Sequence, residues 1–260
     1  MKDPEISVVM PVFNGSSTIK TAIDSILKQS YHDFELIIVD DGSTDNTVEI
    51  IKNYQERRIK LICNKVKMGI ASSLNRGLAA ARGKYIARMD ADDYSLPDRL
   101  LKEKVFLDNH PETGLIGSWV IIKNTISGAE RLVKLPVSGK TTRQFVYKDN
   151  PFIHSSVMFR RELLPIVGMY NPDYCWEDYD LWIRMLKVTQ GMNLPEALVI
   201  RYENSQNVTQ TIKKAQAYYE RLRLQYKAHL LLGFSFFHVL HLLKTTLLFF
   251  YYRIMEGIIH

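Results

Sequence analysis

The chain has 260 residues, 46% of them apolar, 11% aromatic and 24% charged, with two cysteines and a formal charge of +6. This length and apolar content allow one large domain, or one domain with an appendage, and exclude disorder, collagen-like repeats and a disulfide scaffold. Cys63 and Cys175 lie far apart without CxxC spacing, which argues against a zinc cage or redox pair and for a reducing, cytosolic setting.

Met1–Glu5 is polar, and the apolar run after it is too short for a secretory leader, so none is expected. ISVVMPV (6–12) is a continuous, β-branched apolar run, the pattern of a buried parallel strand. Asn14-Gly15-Ser16 supplies turn chemistry, and Ile19, Ala22, Ile23, Ile26 and Leu27 then share one helix face. ELIIVD (35–40) predicts a second strand, Asp41-Gly42-Ser43 a loop, and Thr44–Gln55 a helix. IKLIC (59–63), the helix after Gly69, KYIARM (84–89) and a helix over Pro97–Asn109 continue the alternation. Strand and helix alternating four times predict a parallel sheet covered on both faces. After His110 the pattern loosens. LIGSWVII (115–122) and SVMFRR (156–161) predict strands, Thr141–Tyr147 a short helix and Glu177–Val188 an amphipathic one.

The charge is uneven along the chain. Residues 1–212 hold 27 basic and 26 acidic residues, whereas 213–229 hold five Lys/Arg against Glu220, next to the most apolar stretch, Leu230–Tyr252. Nucleic-acid binding calls for basic residues spread over a folded face. A basic segment beside an apolar one suits an anionic membrane surface instead.

In an open α/β sheet, ligands bind beyond the carboxyl ends of the strands. The polar residues there are Asn14, Asp40 and Asp41, and the run Asp90-Ala91-Asp92-Asp93. No GxGxxG follows the first strand and no GxxxxGK[ST] occurs, which removes the main support for dinucleotide and P-loop readings. In an extended segment Asp90 and Asp92 point the same way. Two such carboxylates repel unless a cation lies near them, and hard oxygen ligands select Mg²⁺ or Mn²⁺. A solvated acidic strand end is the alternative reading of a bare DxD.

VVMPVFN, SILKQSYHDFELIIVDDGSTD, LNRGLAAARGKYIARMDADD and WEDYDLWIRM, in this order and spacing, resemble a family 2 glycosyltransferase of the bacterial surface-polysaccharide type, over about residues 5–205. The resemblance implies a GT-A fold, that is, a Rossmann-like, mostly parallel central sheet flanked by helices. It implies that Pro11 and Phe13 line the base and ribose pocket beside Asn14, that Asp41 hydrogen-bonds the base, and that Asp40 shapes the same loop. Asp90 would contact ribose or donor sugar with Ala91 beside it, Asp92 would join it at a divalent cation (Mn²⁺ or Mg²⁺) bridging the diphosphate, and Arg88 would face the same site unless it is a solvated strand charge. The family's catalytic base corresponds to Asp178 of the pair Glu177-Asp178. A carboxylate in a helix's first turn is favoured in the ionised form that a base requires, although such residues also serve as plain helix stabilisers. Trp182, four residues on, could flank the base and support an acceptor. Glu177, Trp176 and His154 are further acceptor-side candidates, with core packing or a structural histidine as alternatives for Trp176 and His154. Asp180 and Arg184 form an i, i+4 pair. Arg76 and Arg160 could reach phosphate or be surface cations. The sequons at Asn14 and Asn207 are expected to be accidental.

The QxxRW motif of processive members is absent, which predicts transfer of one sugar. Leu230–Tyr252 is long enough to span a bilayer. However, Ser235, His238, His241, Lys244 and Thr245 recur at three- and four-residue spacing, and a spanning helix would bear the cost of Lys244 near its middle. An amphipathic helix in the headgroup region, with the basic segment against anionic lipid, is expected; a span, or packing on the enzyme or on a second copy, are the alternatives. The sequence thus predicts a catalytic domain over 1–205 and a membrane-associating tail over 206–260, with Glu203–Gln210 as the hinge. The implied activity is an inverting, metal-dependent glycosyltransferase on the inner face of the cell membrane. It would use a nucleotide-sugar, a UDP-sugar by family frequency, and a saccharide or lipid-linked acceptor of O-antigen or capsule assembly, possess no nucleic-acid partner, and could dimerise through its tail. A nucleotidyltransferase and a non-catalytic, membrane-associated nucleotide-sugar-binding module are the competing classes.

Overall fold

The computed structural model describes residues 3–203, 214–233 and 236–258. In chain order the first half runs β1 (Ile6–Val12), α1 (Ile19–Leu27), β2 (Phe34–Asp40), α2 (Thr47–Lys52), β3 (Ile59–Cys63), α3 (Ile70–Ala80) and β4 (Tyr85–Arg88). β3, β2, β1 and β4 lie side by side and all parallel. Their alternation explains the continuous apolar runs. Ile6, Val8 and Met10 of β1 and Leu36 and Ile38 of β2 share one core with α1, while Val9, Ile37 and Val39 share the other with α3. At Gly77 of α3 a Cβ would come within 2.5 Å of Val9, so the glycine lets this helix lie close on the sheet.

The second half comprises β5 (Tyr94–Ser95), α4 (Arg99–Asn109), β6 (Thr113–Asn124), β7 (Glu130–Val133), α5 (Gly139–Phe145), β8 (Met158–Arg160), α6 (Leu164–Val167), α7 (Glu177–Leu186) and β9 (Gln190–Glu203). Here β8 inserts antiparallel between β4 and β6, β9 runs parallel to β6, and β5 and β7 pair antiparallel at its margins. The whole sheet has nine strands in the order β3-β2-β1-β4-β8-β6-β9-β5, with β7 on β6. β5, β7 and the long β9 carry no continuous apolar run. Their pairing is non-local, and β9 contains Pro195 and pairs with β6 through three register irregularities.

Two helices follow, α8 (Lys214–Leu232) and α9 (Phe236–Ile258). Leu224, Ala228 and Leu232 of α8 join the same core as Leu181 and Met185 of α7. The basic segment is largely neutralised within the protein: Arg221 pairs with Asp149 at 2.9 Å, Arg223 with Glu220 at 3.0 Å, and Lys227 with Asp180. This corrects the expectation of a free cationic face, because the acids that meet these cations come from elsewhere in the fold or one turn away. The expected polar stripe of α9 also turns inward. Thr245 is buried and donates to the His241 carbonyl at 2.9 Å, and His241 lines a cavity with Trp119 and Phe145; of the stripe residues described, only Lys244 is exposed. The exposed face instead carries Leu240, Leu243, Leu247, Phe250 and Ile254. Among the described residues no helix is long and apolar enough to cross a membrane. Asn207, Ser235 and nearly all of the expected hinge, together with the side chain of His238, lie outside what is described.

Candidate active site

The loops after β1 and β2 are laced together. Asn14, at φ 50° in the left-handed region that asparagine tolerates, donates its N–H to Ser43 and accepts from the Thr44 N–H, both at 2.8 Å. Asp40 accepts from the Gly42 and Ser43 N–H groups at 3.2 and 3.1 Å, shaping the turn. Gly42, at φ 77°, lies where a Cβ would meet the Val66 backbone at 3.0 Å. Asp41 accepts four hydrogen bonds, from Asn64, Met68 N–H, Gly69 N–H and Ser73, all between 2.6 and 2.8 Å. Burial alone would raise its pKa, but these donors outweigh burial and hold the carboxyl below its usual range. Phe13 is exposed with the Lys67 ammonium 3.9 Å from its ring centroid, whereas Pro11 is buried within β1, so of this pair only Phe13 stands open to a ligand.

At the end of β4 the backbone leaves the sheet in a turn, with Asp93 N–H donating to the Asp90 carbonyl at 3.4 Å. The expected extended geometry is therefore replaced by a turn, and curling the chain brings a third carboxylate into the group. Asp90, Asp92 and Asp93 place oxygens within 4.8 Å of one another. Burial first, and then the Asp90 charge, push Asp92 up to about 6 and Asp93 up to about 8. A set of three mutually repelling oxygen donors fits a hard divalent cation. Arg88 is buried, not solvated: its Nη2 is ion-paired with Asp90 Oδ1 at 2.7 Å, while Nε and Nη1 have no hydrogen-bond partner among the described residues. The backbone there is clamped from behind. Arg99, fully buried and paired with Glu103 at 3.1 Å, donates to the carbonyls of Arg88 and Val157 at 2.8 and 3.1 Å.

The acidic pair opens α7 as expected. Glu177 is buried, and burial together with Asp178 pushes it up to about 8. Asp178 is only half-buried; burial raises its pKa too, opposed by the Tyr179 N–H, Asn150 and Arg88. His154 sits behind the pair, its Nε2 2.9 Å from the Tyr170 hydroxyl and its Nδ1 4.0 Å from Glu177, and burial holds it well below its usual pKa. Trp182 is a correction. It is completely buried with Phe152, His154, Phe159 and Tyr170 packed edge-on around it, because at i+4 it lies on the inner face of α7, so it builds the wall behind the site and cannot stack on an acceptor. Trp176, at the N-cap of α7, is partly exposed beneath the Arg221 guanidinium. Asp180 pairs with Arg184 at 2.7 Å. Arg76 donates to Asn64 and the Cys63 carbonyl, and Arg160 to the carbonyls of Leu107, His110 and Thr113. Asp93, Asn150 and the Arg99–Glu103 pair were not singled out from sequence. The fourth letter of DADD was the signal for Asp93; nothing local marks the others.

Arg88 thus lies between two carboxylate groups, the Asp90–Asp93 turn at the carboxyl end of β4 and the Glu177-Asp178 pair of α7, and lowers the pKa values of Asp92, Glu177 and Asp178. Comparison with known proteins bears on the family and the fold. A protein named putative glycosyltransferase EpsE, from Bacillus subtilis (strain 168), is 38% identical over 211 residues, 78% of this chain and 74% of its own. The UDP-Glc:alpha-D-GlcNAc-diphosphoundecaprenol beta-1,3-glucosyltransferase WfgD of Escherichia coli is 32% identical over 188 residues, 72% of each chain. Among solved structures, S. aureus TarS 1-349 in complex with UDP-GlcNAc superposes with a TM-score of 0.72 at 21% identity, over 87% of this chain and 66% of that one. The mannosyltransferase PcManGT from Pyrobaculum calidifontis, in complex with GDP-Man and Mn²⁺, gives 0.66 at 19%, over 88% and 65%. The family model for glycosyl transferase family 2 matches residues 7–165. With the GT-A fold of these neighbours and the motifs at its strand ends, the chain belongs to glycosyl transferase family 2 and is a glycosyltransferase.

Proposed function

We propose that this protein is an inverting glycosyltransferase that moves one sugar from a UDP-sugar to a hydroxyl of a saccharide acceptor, lipid-linked, in surface-polysaccharide assembly. The observation that carries this reading is the half-buried Asp178 carboxylate at the start of α7, across the buried Arg88 from the Asp90–Asp93 turn. WfgD, named for a UDP-Glc donor and a diphosphoundecaprenol-linked acceptor, supports the choice of substrates.

Asp90, Asp92 and Asp93 would hold Mn²⁺ or Mg²⁺, which supplies charge neutralisation for the departing nucleoside diphosphate. Phe13, Asn14, Asp40 and Asp41 form the donor-side loops, with Ala91 against the donor sugar. Arg88, ion-paired with Asp90 through Nη2, presents its Nε and Nη1 donors from a dry position, where each counts for more than in water. Asp178 accepts the acceptor proton as the hydroxyl oxygen attacks the anomeric carbon from the face opposite the diphosphate, so one displacement inverts the configuration. His154, neutral, and Glu177 and Trp176 border the acceptor side.

Residues 1–205 form the catalytic domain in this reading and 206–260 the membrane-associating tail, α8 docking it and α9 meeting the inner face of the cell membrane. Support for that contact comes from the exposed row Leu240, Leu243, Leu247, Phe250 and Ile254, with Lys244 able to reach headgroups. The experiment is sugar transfer in Mn²⁺, with UDP-glucose, UDP-galactose and UDP-GlcNAc as donors and a lipid-linked saccharide as acceptor. Asp178→Asn lowers turnover by about 10³-fold while keeping donor binding. Normal turnover in that variant removes the base assignment, and absence of transfer by the unaltered protein with every donor would favour a non-catalytic binding module.

A further inference from the structure

Asp178 is held by a neighbour that no motif announces. Its Oδ2 accepts from Asn150 Nδ2 at 2.8 Å, while Asn150 Oδ1 accepts from the Phe152 N–H at 3.2 Å. Because a backbone donor already engages the amide oxygen, the NH₂ end is the one that faces the carboxylate. Asn150 is itself fixed: its N–H donates to Asp149 Oδ1 at 3.0 Å, and Asp149 Oδ2 accepts from Arg221 of α8 at 2.9 Å. Gln225 of α8 donates to the Lys148 carbonyl at 2.9 Å, and from the opposite side Asn193 of β9 donates to the Pro151 carbonyl at 3.0 Å. The segment 148–152 is thereby strung between α8 and β9, with Asn150 at its centre.

We propose that Asn150 is a positioning residue for the transfer, its amide holding one oxygen of Asp178 so that the other faces the acceptor hydroxyl, with the Arg221–Asp149 pair carrying the packing of α8 into that arrangement. This rests on the reading of Asp178 as the base. In the step, Asp178 Oδ1 takes the hydroxyl proton, the acceptor oxygen bonds to the anomeric carbon, and the bonding pair to the diphosphate oxygen leaves with the nucleoside diphosphate. Asn150 gains and loses nothing. The charged and titratable groups around Asp178 are Glu177 and Tyr179 on its own helix, Arg88 on β4, Asp90 on the following turn, and Tyr170. A neutral amide among them can fix the carboxylate and favour its ionised form without adding charge to a crowded site.

The test uses the full chain with Mn²⁺ and the UDP-sugar that raises its melting temperature most, comparing Asn150→Ala, Arg221→Gln and Asp178→Asn. Two quantities are read: the pH profile of kcat from UDP release in the presence of acceptor, and the Asp178 pKa from carboxyl ¹³C NMR. Loss of a hydrogen bond to the charged form raises the pKa, so the acidic limb of kcat moves to higher pH. For Asn150→Ala the expected result is a fall of about tenfold in kcat at pH 7, an upward move of the limb and of the NMR pKa by about one unit, and an unchanged donor KM. Arg221→Gln, which breaks a pair near the surface and leaves the core intact, shifts both in the same direction by less. A wild-type profile and pKa in Asn150→Ala, with Asp178→Asn inactive, overturns the positioning role and leaves the base reading standing. Full turnover in Asp178→Asn overturns both.

Discussion

The loop after β2 and the turn after β4 both end a parallel strand on adjacent aspartates, yet they have opposite electrostatics. Asp41 is met by four donors and kept acidic, while Asp92 and Asp93 crowd against Asp90 and are pushed up to about 6 and about 8. The difference lies in who supplies the partner. At Asp41 the chain does, through α3 and the loop before it, and the carboxylate serves as a node of the scaffold. At Asp90–Asp93 the chain supplies Arg88, Arg201, Ser155 and the Tyr202 N–H, and these do not offset burial and the mutual repulsion of the carboxylates.

The contrast can be broken most sharply at the turn. Asp92→Ala should lower sugar transfer by about three orders of magnitude through lost electrostatic stabilisation and should abolish the rise in melting temperature with Mn²⁺; an unchanged Mn²⁺ response would mean the turn is ordinary scaffold. At the other loop the effect should fall on folding. Asp41→Ala leaves buried donors unpaired and should cost about 3 kcal/mol, read as a fall of about 6–12 °C in the melting temperature of the ligand-free protein. Equal losses from both substitutions would erase the distinction between scaffold and site.

A pH series sharpens it further. A carboxyl with a raised folded-state pKa binds its proton more tightly when folded, so its contribution favours the native state at low pH and is lost as pH rises through that pKa. Metal-free protein should therefore lose melting temperature from about pH 4, where the unfolded carboxyls ionise, up to about pH 6 for Asp92 and about pH 8 for Asp93. Saturating Mn²⁺ should flatten that slope, and Asp93→Asn should remove part of it. Asp41 runs the other way: its contribution is present above the unfolded carboxylate pKa and lost only as pH falls through its depressed value. The smallest catalytic effect should come from α9. Leu243→Glu with Leu247→Glu should release the protein from anionic liposomes while changing turnover on a soluble acceptor by less than about twofold; unchanged sedimentation, or a change only in oligomeric state, would point to a second copy on that face.

The same contrast explains how much could be read in advance. β1 to β4 are local objects: β1, β2 and β4 are buried on both faces, β3 at the sheet edge is partly exposed, and β1 to β3 are each followed by turn residues and a helix, so 6–12, 59–63 and the acidic run at 90–93 are visible letter by letter. β5, β7 and β9 draw their stability from partners far away in the chain, and the half-buried β9 shows no clean period. Trp182 is legible as an i+4 neighbour of Asp178 but not as a core residue, since its inward face is set by β8 and the 152–154 segment packing on α7. The cations of α8 look free in sequence because Asp149 lies 72 positions from Arg221 and Asp180 47 from Lys227.

Length, composition and charge bound the chain to one domain with a basic, apolar tail, the alternation of apolar runs and helix faces makes it α/β, and motif spacing points to its family; all follow from local chemistry that a linear pattern records. Only the tertiary structure decided that Asp93 joins Asp90 and Asp92, that Arg88 lies dry between two acidic groups, that Asn150 holds Asp178, and that α9 turns its apolar face outward. Each of these depends on which distant residues supply or withhold a partner, and the free energy of a buried charge or an exposed apolar row is set by those partners and not by its neighbours in the chain.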